Sequence, residues 1–195
     1  MATVFLPEDV AVVASHVRHA KIASFEAEDV ELWRAWTRAT LFWDVTRWVV
    51  VSLGMGARWE PTIEAANMGI RVRRLHCVSS YPATIESLQL SGLWASWDTD
   101  GDRVDPLDGF SDHSDPALTW TGALATAAGA SILEAHLRLD DTDPVNPDYS
   151  HAMTPRQFAE YVRNIRFCEV ALGDGDKRIQ PCEKQMAQYR VLKRE

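Results

Sequence analysis

The sequence has few cysteines, a deficit of basic residues and no long apolar run. Its three cysteines, Cys77, Cys168 and Cys182, are odd in number and widely spaced, which excludes a disulfide framework and a CxxC metal pair. The 20 Lys and Arg against 28 Asp and Glu give a formal net charge of −8. Because no basic stripe offsets this charge, nucleic acid and anionic membrane surfaces are poor partners.

Signals for membrane insertion and for export are also missing. No apolar run approaches the ~20 residues that a membrane-spanning helix needs. The first residues contain no basic segment followed by an apolar one, so no secretory signal is visible. The 195 residues, 46% hydrophobic and 25% charged, have the composition of one ordinary globular domain. We therefore expect a reduced, cytoplasmic protein with a single domain over residues 1–195.

Short apolar runs alternate with longer stretches of helical periodicity along the chain. The six candidate strands are residues 3–6, 20–24, 48–53, 72–78, 107–110 and 131–137. The candidate helices are residues 8–17, 29–39, 61–68, 85–94, 116–128 and 154–172. The last helix opens with Thr154 as N-cap and Pro155 at the first helical position, and it stops at Gly173. This alternation predicts an α/β fold with a parallel sheet, either doubly wound or a barrel.

Polar side chains concentrate at the carboxyl ends of the predicted strands. Five such clusters occur, at residues 21–26, 52–55, 76–82, 111–113 and 134–136. In parallel α/β barrels this edge of the sheet carries the active site, which is built from successive βα loops. Solubility and helix capping do not explain five clusters in register. The pattern therefore favours a barrel with a functional site at this edge.

Two histidines at neighbouring strand ends, His113 and His136, are candidate ligands of a divalent metal. Two imidazoles with oxygen co-ligands suit Mn, Fe, Co or Zn, and spacing alone does not choose among these metals. In the alternative interpretation, His113 caps the helix that begins near Pro116, and His136 is a hydrogen-bonded core residue. The other polar clusters at the same edge favour the ligand interpretation.

An ammonium and four hydroxyls at these strand ends suggest an anion site. The residues are Lys21, Ser24, Ser52, Ser79 and Ser111. A lysine with hydroxyl and backbone donors suits a phosphate or a carboxylate. The alternative is that the first two serines are helix caps and that the lysine is solvated. However, a lysine in a buried strand is costly unless it faces a ligand or a carboxylate.

Two carboxylates near this edge, Glu26 and Asp148, are candidate acid–base groups. Asp148 lies in a loop rich in proline and aspartate, and composition alone indicates a turn residue there.

Two further patterns have structural interpretations. The acidic run 98–102 is similar to a calcium loop, but its glycine comes too early and no glutamate closes it, so we interpret it as a solvated turn. An aromatic cluster predicts packing of helices against the sheet, with a subunit interface as the alternative. Its members are Trp33, Trp36, Phe42, Trp43 and Trp48.

Five short motifs follow one another along the chain. They are KIASFE at 21–26, SLGM at 52–55, LHCVSSYP at 75–82, SDHS at 111–114 and GASILEAH at 129–136. In this order and at these spacings they resemble the sialic acid (N-acetylneuraminate) synthase family. Members of that family use a TIM barrel and a divalent metal, commonly manganese. They condense phosphoenolpyruvate with an N-acyl hexosamine such as N-acetylmannosamine and release phosphate, and the resemblance implies the same reaction here.

The resemblance also implies roles for individual residues. It implies His113 and His136 as the metal ligands. The residues that it places around phosphoenolpyruvate are Thr3, Lys21, Ser24, Ser52, Ser79 and Ser111. Toward the sugar it places Tyr81 as a binding residue and Glu26 and Asp148 as catalytic residues.

The chain departs from the family pattern in two respects. Phe25 stands where the family usually has glycine, which places a bulky ring beside the expected sugar site. The family's first two barrel strands and its C-terminal antifreeze-like domain have no counterpart in the sequence. We therefore expect an incomplete, TIM-barrel-like parallel fold of about six βα units. A second copy of the chain or a partner chain is expected to cover its open edges.

Three functions are compatible with these observations. The first is the sialic-acid-synthase-like enzyme. The alternatives are a non-catalytic homologue that acts as a binding or assembly subunit, and another barrel enzyme that uses phosphoenolpyruvate. The joint presence of Lys21, Glu26, His113, His136 and Asp148 favours catalysis, whereas the missing strands favour binding or assembly.

Overall fold

Six parallel strands pair in chain order to form one sheet. The structure is a computed structural model that describes residues 1–43, 48–57, 60–94 and 106–190. The strands are β1 (Ala2–Thr3), β2 (His19–Ile22), β3 (Trp48–Leu53), β4 (Arg71–Cys77), β5 (Gly109–Asp112) and β6 (Ile132–Ala135). Every neighbouring pair is parallel, as the alternation of strands and helices predicts.

Helices connect most of the strands. They are α1 (Val10–His16), α2 (Val30–Trp43), α3 (Glu60–Asn67), α4 (Thr121–Ala127), α5 (Pro155–Leu172) and α6 (Lys184–Ala187). Short 3-10 turns occur at Pro7–Asp9, Ser24–Glu26, Ile85–Ser87, Leu90–Leu93 and Pro181–Glu183. In the described ranges, no helix has the length and apolar character that crossing a membrane requires.

The boundaries of α5 follow the sequence signals. The Thr154 hydroxyl accepts a hydrogen bond from the backbone N–H of Gln157, and the Gln157 side chain accepts one from the backbone N–H of Thr154. This capping box satisfies donors that the first helical turn leaves open. The helix ends at Leu172, before Gly173 with its φ of 58°. The predicted start and stop of this helix are therefore confirmed.

Two other helix predictions need correction. The helix expected over residues 85–94 is wrong, because Gln89 takes a left-handed φ of 46° and separates two short 3-10 turns. The helix expected from residue 116 begins at Thr121 instead. Asp115 stabilises a turn before this helix. Its carboxylate accepts a hydrogen bond from the backbone N–H of Ala117, and its backbone carbonyl accepts one from the N–H of Leu118, each at 2.8 Å.

The sheet is strongly curved, as the short distance between side chains of β2 and β6 shows. Lys21 on β2 and Glu134 on β6 lie four strand positions apart, which in a flat sheet corresponds to about 19 Å. Their side-chain atoms Nζ and Oε2 are 3.4 Å apart. The sheet therefore curls so that both side chains face the same concave side. The prediction of a TIM-barrel-like parallel α/β fold with six βα units, an incomplete barrel, is confirmed.

Aromatic residues of α2 pack against the convex side of the sheet. Trp36 is fully buried, and Trp33 is buried in the same apolar cluster as the β2 and β3 side chains. For these two residues the packing interpretation is confirmed. Phe42 is exposed, and Trp48 is half-buried. The side chain of Trp43 and the acidic run 98–102 lie outside the described residues.

A buried carboxylate joins β5 to the two helices that cover it. Asp112 accepts hydrogen bonds from the Thr121 hydroxyl of α4 at 2.5 Å and from the Tyr161 hydroxyl of α5 at 3.0 Å. The backbone N–H of Ser114 donates to the same carboxylate at 2.9 Å. Because each donor comes from a different segment, this network fixes how α4 and α5 pack on the strand that carries the site.

We expect Tyr161→Phe to lower the free energy of unfolding by about 1.5–3 kcal/mol, because a hydrogen bond to a buried charged group is lost. Urea denaturation measures this change. Tyr189→Phe is the matched control, since Tyr189 is 71% exposed, and it should leave stability within about 0.5 kcal/mol. Equal stabilities for the two variants would contradict the proposed role of the network.

Candidate active site

A cavity of about 370 Å³ opens at the carboxyl ends of the strands, on the concave side of the sheet. It is lined by nine of the eleven predicted site residues: Thr3, Lys21, Ser24, Ser52, Tyr81, Ser111, His113, His136 and Asp148. Phe5, Ala23, Glu134 and Ala135 complete the lining. The structure therefore brings most of the predicted residues together at the expected edge of the sheet.

Glu134 connects the polar groups on the floor of this cavity. Its Oε2 accepts a hydrogen bond from the Ser111 hydroxyl at 2.6 Å and from the Ser52 hydroxyl at 3.4 Å. The same oxygen lies 3.4 Å from Nζ of Lys21. No role was predicted for Glu134. The signal was available, because Glu134 stands two residues before His136 and alternate residues of a strand share one face.

Lys21 has the partner that its burial requires. Its side chain is only 7% exposed, and its ammonium contacts the Glu134 carboxylate and donates to the backbone carbonyl of Ile22 at 3.0 Å. An ammonium carries three N–H donors, so these two contacts leave one for a ligand in the cavity. Thr3, which pairs with Lys21 in the β1–β2 register, lines the cavity beside it.

Contacts with the Val78 backbone and with the side chains of Cys77 and Ser111 orient the imidazole ring of His113. Its Nδ1 lies 2.9 Å from the carbonyl oxygen of Val78 and 3.6 Å from Sγ of Cys77, while Nε2 lies 3.4 Å from the Ser111 hydroxyl. Burial lowers the pKa of His113, but contacts with Cys77 and Val78 outweigh burial, so the pKa is raised. An Nδ1–H that donates to the carbonyl leaves the Nε2 lone pair available on the cavity side. These contacts do not cap a helix.

His136 lies between His113 and a second pair of groups. The ring centroids of His113 and His136 are 5.2 Å apart. Nδ1 of His136 is 3.4 Å from Oδ2 of Asp148, and Nε2 of His151 is 3.5 Å from Oδ1 of the same carboxylate. His136, Asp148 and His151 each offer one ligand atom within 4.8 Å of the others. Asp148 therefore has a side-chain contact that its turn composition did not predict, and His151 was missed.

Tyr81 covers the histidines from the side of the loop after β4. Its ring centroid is 4.5 Å from that of His113 and 4.8 Å from that of His151. Burial raises the pKa of the Tyr81 hydroxyl, so this group remains a neutral donor near neutral pH.

A sulfur–hydroxyl cluster lies beside the cavity. The Ser24 hydroxyl donates to Sγ of Cys77 at 3.3 Å, and the Ser79 hydroxyl lies 3.8 Å from the same sulfur. A Cβ at Gly54 would collide with the Ser79 hydroxyl and come within 3.1 Å of the Ser24 hydroxyl, so the close approach requires glycine. Burial raises the pKa of Cys77, but contacts with His113, Ser24 and Ser79 together outweigh burial, so the pKa is lowered.

Three residues expected near the cavity do not line it. Ser79 is turned toward Cys77, as described above. Glu26 lies in the 3-10 turn after β2, where its Oε2 is buried and has no hydrogen-bond partner among the described residues. Burial is the main cause of the raised pKa of Glu26. Phe25 is 67% exposed and is absent from the lining.

The sequence profile of the NeuB family matches residues 1–177. The chain belongs to the NeuB family. The predicted resemblance to sialic acid synthases is thereby confirmed.

Relatives of this NeuB family chain include two curated bacterial enzymes. An N,N'-diacetyllegionaminic acid synthase of Legionella pneumophila is 35% identical over 104 residues, which are 53% of this chain and 27% of that protein. A pseudaminic acid synthase of Helicobacter pylori is 31% identical over 166 residues, 83% of this chain and 45% of that protein. The chain therefore spans less than half the length of these two relatives.

A solved structure resembles the NeuB family chain over almost its whole length. It is an N-acetylneuraminic acid (sialic acid) synthetase from Leptospira borgpetersenii serovar Hardjo-bovis in complex with citrate, with a TM-score of 0.75 and 26% identity. The match covers 96% of this chain and 63% of that chain. The curled six-strand sheet is thus the fold of this part of the family.

We expect Glu134→Gln to lower the free energy of unfolding by about 1–3 kcal/mol, because it removes the charge that the buried Lys21 ammonium contacts. Glu169→Gln is the matched control: it removes a charge that pairs with Arg166 on the exposed surface of α5, and it should change stability by at most about 0.5 kcal/mol. Urea denaturation compares the two variants. A stability loss no larger than that of the control would contradict the importance of the ion pair.

Proposed function

We propose that the protein condenses phosphoenolpyruvate with the aldehyde of an N-acyl hexosamine of the N-acetylmannosamine type, with a divalent metal, and releases phosphate. The observation that carries the proposal is the convergence of a buried lysine, several hydroxyls and two histidines, His113 and His136, on one cavity. Membership of the NeuB family and the sugar-acid synthases among the relatives support the same reaction class.

The lysine end of the cavity suits the anionic groups of phosphoenolpyruvate. Lys21 supplies the charge, and Thr3 supplies a hydroxyl beside it. The hydroxyls of Ser24, Ser52 and Ser111 donate to Cys77 and Glu134 in the chain as it stands, and in this proposal they turn to the phosphate when it binds. We assign Ser79 to the support of this cluster through Cys77, since its hydroxyl does not line the cavity.

The histidine end has donors that suit a divalent first-row cation. We assign His113 and His136 as its ligands, because Nε2 of His113 faces the cavity and the two rings are adjacent. Manganese is the metal we propose. When bound, such an ion polarises the carbonyl of the sugar aldehyde as a Lewis acid.

The protein groups position the reactants and move protons. Lys21 and the hydroxyls hold phosphoenolpyruvate so that its enol carbon attacks the aldehyde carbon, forming the new C–C bond. Water then adds to the oxocarbenium-like carbon left by that attack, and phosphate departs. We assign Asp148, at the mouth of the cavity, to proton transfer with the sugar, and Tyr81 to its binding. We also propose Glu26 as an acid–base group: its raised pKa suits this role, and because its side chain does not line the cavity, it would have to turn toward the bound sugar.

Phosphate release tests this proposal directly. Phosphoenolpyruvate, Mn²⁺ and a panel of N-acyl hexosamines should give acceptor-dependent phosphate with the wild-type chain. We expect Lys21→Met to lower kcat/KM by at least about 100-fold, because it removes the charge at the phosphate. Lys177→Met, at an exposed lysine of the segment after α5, should retain the wild-type rate.

His113→Ala and His136→Ala complete the experiment. Each should abolish turnover together with Mn²⁺-dependent thermal stabilisation. Absence of turnover with every acceptor, combined with absence of a manganese-dependent thermal shift in the wild type, would overturn the enzyme proposal and favour a binding or assembly role.

We also propose that the chain forms one domain that assembles with a second copy or a partner chain. The support for assembly is the open sheet: within the described residues, β1 and β6 are each paired on one side only. Unpaired strand edges are covered in stable proteins. Analytical ultracentrifugation at micromolar concentration should give at least twice the mass of one chain. A clean monomer would contradict self-assembly.

A further inference from the structure

We propose that His151 is an additional metal ligand, so that the cation proposed above has three imidazoles and one carboxylate around it. The proposal deepens the proposed function, because it adds a ligand to the same site. The set consists of His136, Asp148 and His151, with the ring centroid of His113 5.2 Å from that of His136. In this arrangement Asp148 binds the ion through one carboxylate oxygen and keeps the other for the proton transfer assigned to it above.

The backbone places His151 beneath Asp148. The carbonyl of Asp148 accepts hydrogen bonds from the N–H of His151 at 3.2 Å and from the N–H of Ala152 at 2.9 Å. This tight turn sets residues 148 and 151 on the same side of the loop. It also carries the loop back to β6, where the N–H of Met153 donates to the carbonyl of His136 at 2.9 Å. His151 and His136 are thus brought together from two segments.

The His151 side chain is buried, and its two ring nitrogens lack hydrogen-bond partners among the described residues. It is 2% exposed. A buried polar group without a partner is destabilising, so it calls for a physical reason. Nε2 lies 3.5 Å from the Asp148 carboxylate, too far for a good hydrogen bond but suited to two ligands of one ion.

The surroundings of His151 favour a cation over other ligands. Its ring centroid lies 4.5 Å from that of His136 and 6.4 Å from that of His113, and Tyr81 covers its remaining side. Two imidazoles and a carboxylate are a known ligand set for divalent first-row metals. A third imidazole should raise the affinity for Co²⁺ and Zn²⁺ relative to Mn²⁺, since nitrogen ligands suit the later metals better.

Metal titration of the full chain tests this ligand assignment without reference to turnover. After treatment with a chelator, the wild type, His151→Ala, His151→Gln and His16→Ala are titrated with Mn²⁺ and Co²⁺ in a calorimeter. His16 is an exposed histidine in the last turn of α1, so its variant controls for histidine content. We expect both His151 variants to bind at least about tenfold more weakly, with His16→Ala unchanged.

A second measurement uses the unaltered chain. Electron spin echo spectroscopy of bound Mn²⁺ detects coordinated imidazole nitrogens, and we expect three of them rather than two. Circular dichroism melting of the His151 variants establishes whether they fold. If either variant fails to fold, the nitrogen count in the wild type decides the assignment.

The possible outcomes separate this inference from the proposed function. Tight metal binding with three imidazoles but no phosphate release would uphold the role of His151 and overturn the proposed reaction. Phosphate release with two imidazoles, and with wild-type affinity in the His151 variants, would overturn the inference alone. A wild type that binds neither metal would overturn the metal site in both.

Discussion

The contact between Lys21 and Glu134 is the interaction on which the site depends. It joins β2 to β6 across the concave side of the sheet, over strands that in a flat sheet would be about 19 Å apart. Ser52 and Ser111 donate to the same carboxylate from β3 and β5. One carboxylate therefore gathers donors from three strands, and it satisfies a buried ammonium that otherwise would be costly. The curvature of the sheet and the polarity of the cavity have a common origin here.

This arrangement divides the cavity into two chemically different ends. The ammonium and the hydroxyls around Glu134 suit an anion, while the imidazoles of His113 and His136, with His151 next to His136, suit a cation. Strand geometry links the two ends, because Ser111 and His113 are two residues apart, as are Glu134 and His136. This order of groups suits a molecule that has a phosphate at one end and a reactive carbon at the other.

Part of the molecule was predictable from local sequence patterns. The strands, their parallel order and the caps of α5 follow from periodicity and capping chemistry, and the burial of Lys21 required a carboxylate. The features that could not be predicted depend on backbone conformation and on contacts between segments that are distant in sequence. The position of His151 follows from a turn at Asp148 with no periodic signal, and the 3-10 turns at residues 85–93 are separated by the left-handed Gln89. Glu26 and Ser79 were also expected at the cavity, but neither side chain is part of its lining.

The central claim is that an anion site and a metal site share one cavity. Phosphorus NMR of phosphoenolpyruvate with substoichiometric Mn²⁺ tests it most directly, since a bound paramagnetic ion relaxes a phosphorus nucleus only at short range. The account predicts that the wild-type chain broadens the phosphorus resonance well beyond the effect of free Mn²⁺, and that excess Mg²⁺ reverses the effect. Broadening equal to that of free Mn²⁺, under conditions where both ligands are bound, would contradict the account.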